Sequence, residues 1–201
     1  MKRLVIGISG ATGAIYGIRL AEILHKTPDV ETHLIITEAG IETIKQETNW
    51  AVKDVTRLAH VNYEIGDIGA CLSSGSFLHN GMVIAPCSIK TMSMISNSIS
   101  SNLLIRAADV TLKEKRKLIL LVREAPLHLG HLRQMVNLAE MGAIIHPPLP
   151  SFYFRPKTID DIVNHTVGRI LDHFGIEQNI FQRWKGLPKK EEKSRGKIGR
   201  R

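Results

Sequence analysis

The chain has 201 residues, 43% hydrophobic and 23% charged, which suits one compact domain able to bury a full core. No apolar run approaches the ~20 residues that cross a bilayer. The two cysteines, Cys71 and Cys87, form no Cys-x-x-Cys and read as neither a disulfide framework nor a zinc site. Net charge is +8, but seven basic and two acidic residues from Lys189 on carry +5 of it, leaving +3 for the body. That distribution argues against a nucleic-acid-binding domain and reads as a basic, solvated, disordered tail.

The start, residues 1–12, has a basic pair and an apolar run. That run covers only Leu4 to Ile8 and meets a glycine turn, so no signal peptide is expected. Residues 3–9 predict a first strand and residues 13–26 a helix, with Ala14, Ile18 and Ala21 on one face. Residues 31–37 predict a strand, followed by helices over 39–49 and 52–58. An irregular stretch then runs to about Phe77. A strand over 81–85 precedes helices over 88–99 and 102–115. Residues 117–122, KLILLV, predict the most continuous apolar strand. A helix over 129–141, a short strand over 143–146 and a proline-rich loop follow. His128 and His131, with no third ligand nearby, read as helix-start or surface residues. The last helix, 158–174, carries Ile159, Ile162, Val163, Val167, Ile170 and Phe174 on one stripe.

Strands alternate with helices, and the strands are apolar throughout. That predicts an α/β fold, a parallel sheet covered by helices on both faces. Ligands of such sheets sit beyond the carboxyl ends of the strands. Ser9, Thr37, residues 87–90 and Arg123 each follow a strand and fall on that rim. The first turn, GISGATG, is spaced G-x-x-G-x-x-G and offers helix-start amides and hydroxyls to a phosphate. The second strand ends in Thr37, not in the acidic residue that grips an adenosine ribose, so a mononucleotide fits better than a dinucleotide. CSIKT supplies Ser88, Lys90 and Thr91, and SSGSF adds a third Gly/Ser loop. Arg123 and Glu124 place a cation beside a proton donor. Arg106, Asp109 and Lys113 share a helix face, which also suits a surface ion-pair ladder. Arg169 lies at the edge of the last stripe, and Tyr153 sits in the proline-rich loop.

Taken together, GISGATGAIYGIRL, Thr37, Glu47-Thr48, SSGSF, APCSIKT, NLLIRAADVTLKE, VREAPL, PPLPSFYFRP, VGRIL and Arg183-Trp184 resemble the flavin prenyltransferase family, UbiX-type. That family includes the B subunits of phenolic-acid decarboxylase operons. The likeness runs from residue 2 to about 187. It implies a single three-layer Rossmann-like, flavodoxin-like domain over 1–187, with the tail at 188–201. It also implies a homo-oligomer, a dodecamer, with active sites where subunits meet; the lack of a signal-like or membrane-spanning stretch gives the expectation of a cytoplasmic protein. The implied cofactor is FMN, reduced as prenyl acceptor, touched by Gly10, Ala11, Thr12, Thr37, Ser88, Ile89, Lys90, Thr91 and Arg123. The implied donor is dimethylallyl phosphate, near Arg106, Tyr153, Arg169 and Trp184, with Glu47, Glu124 and Lys113 as catalytic residues and no metal. The implied product is prenylated FMN for a partner decarboxylase. A non-catalytic flavin-binding subunit of such a system is the alternative. Two stretches depart from the family pattern. IGACLSSGS lacks a tryptophan some members carry, and HLGHLRQM replaces the more usual I-H-L-E-N-M. A second family of similar fold, the cysteine decarboxylases, uses P-A-S-A-N-T and P-x-M-N-x-x-M. This chain has PCSIKT at the first motif and lacks the second.

Overall fold

A computed structural model describes residues 1–184 and 186. The basic tail expected from residue 188 lies outside the described residues. The elements are β1 (Lys2–Ile8), α1 (Ala14–His25), β2 (Val30–Ile36), α2 (Glu38–Glu47), α3 (Val52–Thr56), β3 (Val61–Tyr63), β4 (Gly81–Cys87), α4 (Ile89–Ser96), α5 (Leu103–Lys113), β5 (Lys117–Val122), α6 (Leu129–Glu140), β6 (Ile144–Ile145) and α7 (Ile159–His173). The six strands pair in the order β3-β2-β1-β4-β5-β6, every pair parallel. This is the Rossmann strand order.

The apolar strands are explained by two cores, one on each face of the sheet. Leu4, Ile6 and Ile8 of β1, with Val83 and Ala85 of β4 and Ile119 and Leu121 of β5, pack beneath α1 and α7. Their neighbours Val5, Met82, Ile84, Leu118 and Leu120 point the other way, under α4, α5 and α6. The side-chain period of two therefore stays, but both phases are buried, so no polar alternation survives. Each such side chain contributes roughly 1.5–3 kcal/mol on burial. α1 approaches β4 closely because residue 17 is glycine: a Cβ there would lie 2.2 Å from the Ala85 carbonyl oxygen.

Three expectations need correction. β3 was not foreseen. It is three residues long at the sheet edge, and only its contact with β2 marks it as a strand. β4 runs past Ala85 to Cys87, with a register irregularity at its end. α4 stops at Ser96, before the predicted 99, with Asn97 as its C-cap.

Candidate functional site

The chain leaves β1 toward β2 on one side and joins β4 on the other, which opens a crevice at their carboxyl ends. A cavity of about 490 Å³ lies there, walled by Gly10, Thr37, Ser88, Lys90 and Thr91. That is within the range of roughly 300–1,000 Å³ typical of small-molecule sites. Ile65, Met94 and Ile105 supply an apolar wall opposite.

The polar wall is set by main-chain and short side-chain bonds. Ser9, 1% exposed, donates its hydroxyl to the Pro86 carbonyl at 2.9 Å and accepts from the Ser88 amide at 2.8 Å. It thereby ties the β1 turn to the β4 turn. Gly10 sits where a Cβ would come within 2.3 Å of Ala39 Cβ, so only glycine lets this turn meet α2. Thr37 caps α2, accepting from the Gly40 amide at 3.0 Å. Ser88 caps α4, accepting from the Thr91 amide at 3.2 Å and donating to Thr91 Oγ1 at 3.1 Å. The Ser88 proton is thus spent on Thr91 Oγ1, while capping leaves the Thr37 proton, and this bond the Thr91 proton, to donate to a ligand. Lys90 is exposed at the cavity wall.

Two rim expectations are corrected here. Cys87 is wholly buried in the core below the rim, and burial pushes its thiol well above the ordinary range. It is not part of the ligand surface. The α1 start is not a free anion cradle either. Glu47 Oε2 accepts from the Gly13 amide at 2.7 Å and from the Ala14 amide at 3.4 Å. A carboxylate at a helix N-terminus satisfies donors that a phosphate would otherwise take. Ala11 and Thr12 share this turn, and Ile89 packs partly into the core behind α4. Arg123 and Glu124 are exposed just beyond β5, with Arg123 N donating to the Cys87 carbonyl and Glu124 Oε1 accepting from the Ala125 amide.

The remaining candidates lie elsewhere. α5 runs down from the rim, so Lys113 is about 16 Å along the axis from the Asn102 cap. Lys113 pairs with Glu114 against Gly75. Arg106, nearer the rim, donates to the Ser73 carbonyl at 3.2 Å and to Asp109 at 2.8 Å. Tyr153, Arg169 and Trp184 line a second cavity of about 680 Å³, with His165, Phe181 and Arg183. α7 begins beside the middle of α1, where Arg19 bonds Asp160, and descends toward the amino ends of the strands. Arg169 is one turn before His173, whose carbonyl accepts from Lys117 at the start of β5. Arg169 and Glu124 therefore sit toward opposite ends of β5.

In the second cavity Arg169 and Arg183 both bond Asp172, at 3.1 and 2.7 Å. The Arg183 hydrogen bonds hold the Asp172 carboxyl below its ordinary range. Tyr153 stands edge-on to Trp184, ring centres 5.5 Å apart. Its hydroxyl lies 2.8 Å from His165 Nε2. His165, which the sequence does not mark, lies away from the apolar stripe of α7, four residues before Arg169, and meets Tyr153, Phe154 and Phe181. Ser9 was placed on the rim, but its bridging role depends on Pro86 and Ser88, 77 and 79 residues away.

The rim cavity pairs hydroxyl and ammonium donors with an apolar wall. This fits a flat conjugated ring carrying acceptors and a phosphate, as FMN does. The second cavity pairs guanidinium groups with aromatic faces, which suits a short apolar chain bearing an anion.

The Flavoprotein family model matches residues 1–171. The chain is 54% identical over 189 residues to the flavin prenyltransferase UbiX of Thauera aromatica, covering 94% of this chain and 97% of that protein. Among solved structures it resembles a dodecameric FMN-dependent UbiX-like decarboxylase from Escherichia coli O157:H7. There the TM-score is 0.90 at 46% identity, over 92% of this chain and 100% of the other. It also resembles AnUbiX (PadA1), solved in complex with FMN and dimethylallyl pyrophosphate. There the TM-score is 0.91 at 42% identity, over 93% and 99% of the two chains.

Proposed function

Since the chain belongs to the flavoprotein family, and within it to the UbiX-type flavin prenyltransferases, we propose that it transfers a dimethylallyl group from dimethylallyl phosphate to reduced FMN. The observation that carries this is the 54% identity to flavin prenyltransferases over nearly the whole chain. The two cavities agree with it in chemistry. Reduced FMN, when bound, supplies N5 and C6 as the positions that take the prenyl group.

The residues of the chain divide the work. Thr37, Ser88, Lys90 and Thr91 hold and orient the flavin at the rim, with Arg123 on its phosphate side. Gly10, Ala11 and Thr12 let the β1 turn approach it. Tyr153 and Arg169 hold the phosphate of the donor, with Arg106 and Lys113 adding positive charge, while Trp184 faces the allylic carbon. When the C–O bond breaks, both electrons leave with the phosphate oxygen. Each charge-assisted contact to that dianion is worth roughly 1.5–3 kcal/mol, and about 1.4 kcal/mol is tenfold in rate. Glu124 gives a proton to the departing phosphate. Glu47 holds the β1–α1 turn in place through the Gly13 and Ala14 amides.

Because rim and donor groups lie toward opposite ends of one subunit, we assign each active site to more than one subunit of a homo-oligomer. Leu129, Leu132 and Val136 form an exposed apolar face on α6 that supports self-association, and a dodecamer fits the neighbour's assembly. Among the described residues no helix is long and apolar enough to cross a membrane. Free Cys71 and Cys87 suit a reducing compartment, the cytoplasm. The product, prenylated FMN, is destined for a separate decarboxylase.

Anaerobic mixing with reduced FMN and dimethylallyl phosphate, followed by the mass of the released flavin, tests this. A gain of one C5H8 unit, lost in Glu124→Gln, is expected. Unmodified flavin that stays bound would point instead to a flavin-carrying subunit.

A further inference from the structure

We infer that His165 is a positioning residue for the prenyl donor: its Nε2–H holds Tyr153 Oη so that the single phenol proton points into the cavity, at the phosphate. The inference rests on the reading that Tyr153 and Arg169 bind that phosphate.

A phosphate dianion has only acceptors, so Tyr153 helps it only by donating, and a phenol has one proton to give. The oxygen of Tyr153 is 2.8 Å from His165 Nε2. If the phenol donates to the imidazole, it turns a lone pair toward the dianion and repels it. If the imidazole donates, the proton of Tyr153 is left for the ligand. Phosphate in the cavity therefore selects the Nε2–H tautomer of His165.

The surroundings suit a fixed donor. His165 is 7% exposed, on the side of α7 turned away from the core stripe and covered by Tyr153, Phe154 and Phe181. Its ring stacks on Phe154 at 4.9 Å and 9°, and meets the edge of Phe181 at 5.1 Å and 78°. Phe181 comes this near α7 because residue 168 is glycine; a Cβ there would lie 2.3 Å from the Phe181 ring. Burial, with Arg169 nearby, holds the imidazole below its ordinary titration range. A neutral ring here adds a donor without burying a charge, leaving the cationic role to the exposed Arg169. Tyr153 sits in a turn between Phe154 and Trp184, and the His165 contact is what fixes the direction of its hydroxyl.

The test compares Tyr153→Phe, His165→Phe, His165→Gln and the double variant Tyr153→Phe/His165→Phe. Two measurements are made: KM and kcat with reduced FMN, and the calorimetric Kd of dimethylallyl phosphate with oxidised FMN bound, where no turnover occurs. Tyr153→Phe is expected to raise both KM and Kd about tenfold, the loss of one charge-assisted hydrogen bond. His165→Phe, which keeps the aromatic packing, is expected to raise both about fivefold with kcat within about threefold. His165→Gln, whose amide restores a donor, returns both to within about twofold of wild type. The double variant is no worse than Tyr153→Phe alone, because the two residues act as one unit. FMN retention in all four reports intact folding. If Tyr153→Phe weakens binding while His165→Phe does not, the inference fails and the phosphate site stands. It fails too if His165→Gln is as poor as His165→Phe, since packing alone would then explain the loss. If Tyr153→Phe is silent, the phosphate-site reading falls and takes the inference with it.

Discussion

The rim cavity and the α7 cavity are built on opposite plans. The rim is fixed by strand ends and by short hydroxyls bonded to the backbone: two helix caps, the Ser9 bridge and a glycine contact at Gly10. Its geometry follows from a sheet with two cores. The α7 cavity is fixed by side chains on one helix and a long loop, through Tyr153–His165, Arg169–Asp172 and stacked aromatic rings. Backbone geometry tolerates most side-chain changes but no added Cβ at its closest approach. A side-chain network behaves the other way. The difference suggests a division of labour, with a rigid cradle for the flavin and an adaptable clamp for the smaller donor.

The largest expected effect comes from breaking the rigid half. Gly10→Val drives a side chain into Ala39 and should lower FMN affinity by more than about 100-fold. Dimethylallyl phosphate should still bind the α7 cavity, seen by calorimetry without flavin. Retention of FMN at wild-type strength would mean that the β1 turn is not the cradle.

Next comes the adaptable half. Arg169→Ala removes one guanidinium and should raise KM for dimethylallyl phosphate roughly 10–100-fold. FMN affinity should stay within about twofold. Absorbance titration of FMN alongside steady-state kinetics checks both. Equal losses on the two ligands would erase the distinction between the cavities.

The smallest effect is a response to acid. His146, His165 and His173 lie around α7, and all three titrate below the ordinary histidine range. Burial is the first cause in each, and Arg169 contributes to all. Between the folded pKa values and about 6.5, the unfolded segment binds more protons than the folded one. Stability is therefore complete above about pH 6.5 and falls as the pH drops through that window. The wall of the rim cavity holds no histidine. Burial also lowers His33 in β2 and His79 just before β4, so hydrogen exchange should show α7 and the His33–His79 region losing protection as pH falls from 7 to 5, before the turns at the carboxyl ends of β1 and β4.

The same contrast governs what was legible in the sequence. The parallel sheet was legible because both faces are buried, so β1, β4 and β5 are apolar throughout. Thr37 and Ser88 were legible as residues following strands. The three-residue β3 was not, since only its pairing with β2 defines it. Nor was the fate of the Gly13 and Ala14 amides where GISGATG meets α1, which Glu47 takes from 34 and 33 residues away. Cys87 looked like part of the rim because pattern alone does not say where a strand stops pointing inward. His165 was hidden because a histidine off the apolar stripe reads as solvent-facing, and nothing local marks the loop that covers it. Contacts local in sequence were readable; those closed by the fold were not.

The central claim is that the two halves of each active site come from different subunits. Mixing denatured Glu124→Gln and Arg169→Ala subunits in equal amounts, refolding them together and assaying prenyl transfer tests it most directly. If the halves belong to different subunits, random assembly restores about a quarter of wild-type activity, because that share of sites draws both halves from intact partners. If the mixture is no more active than the two variants assayed apart, each site lies within a single chain and the account is wrong.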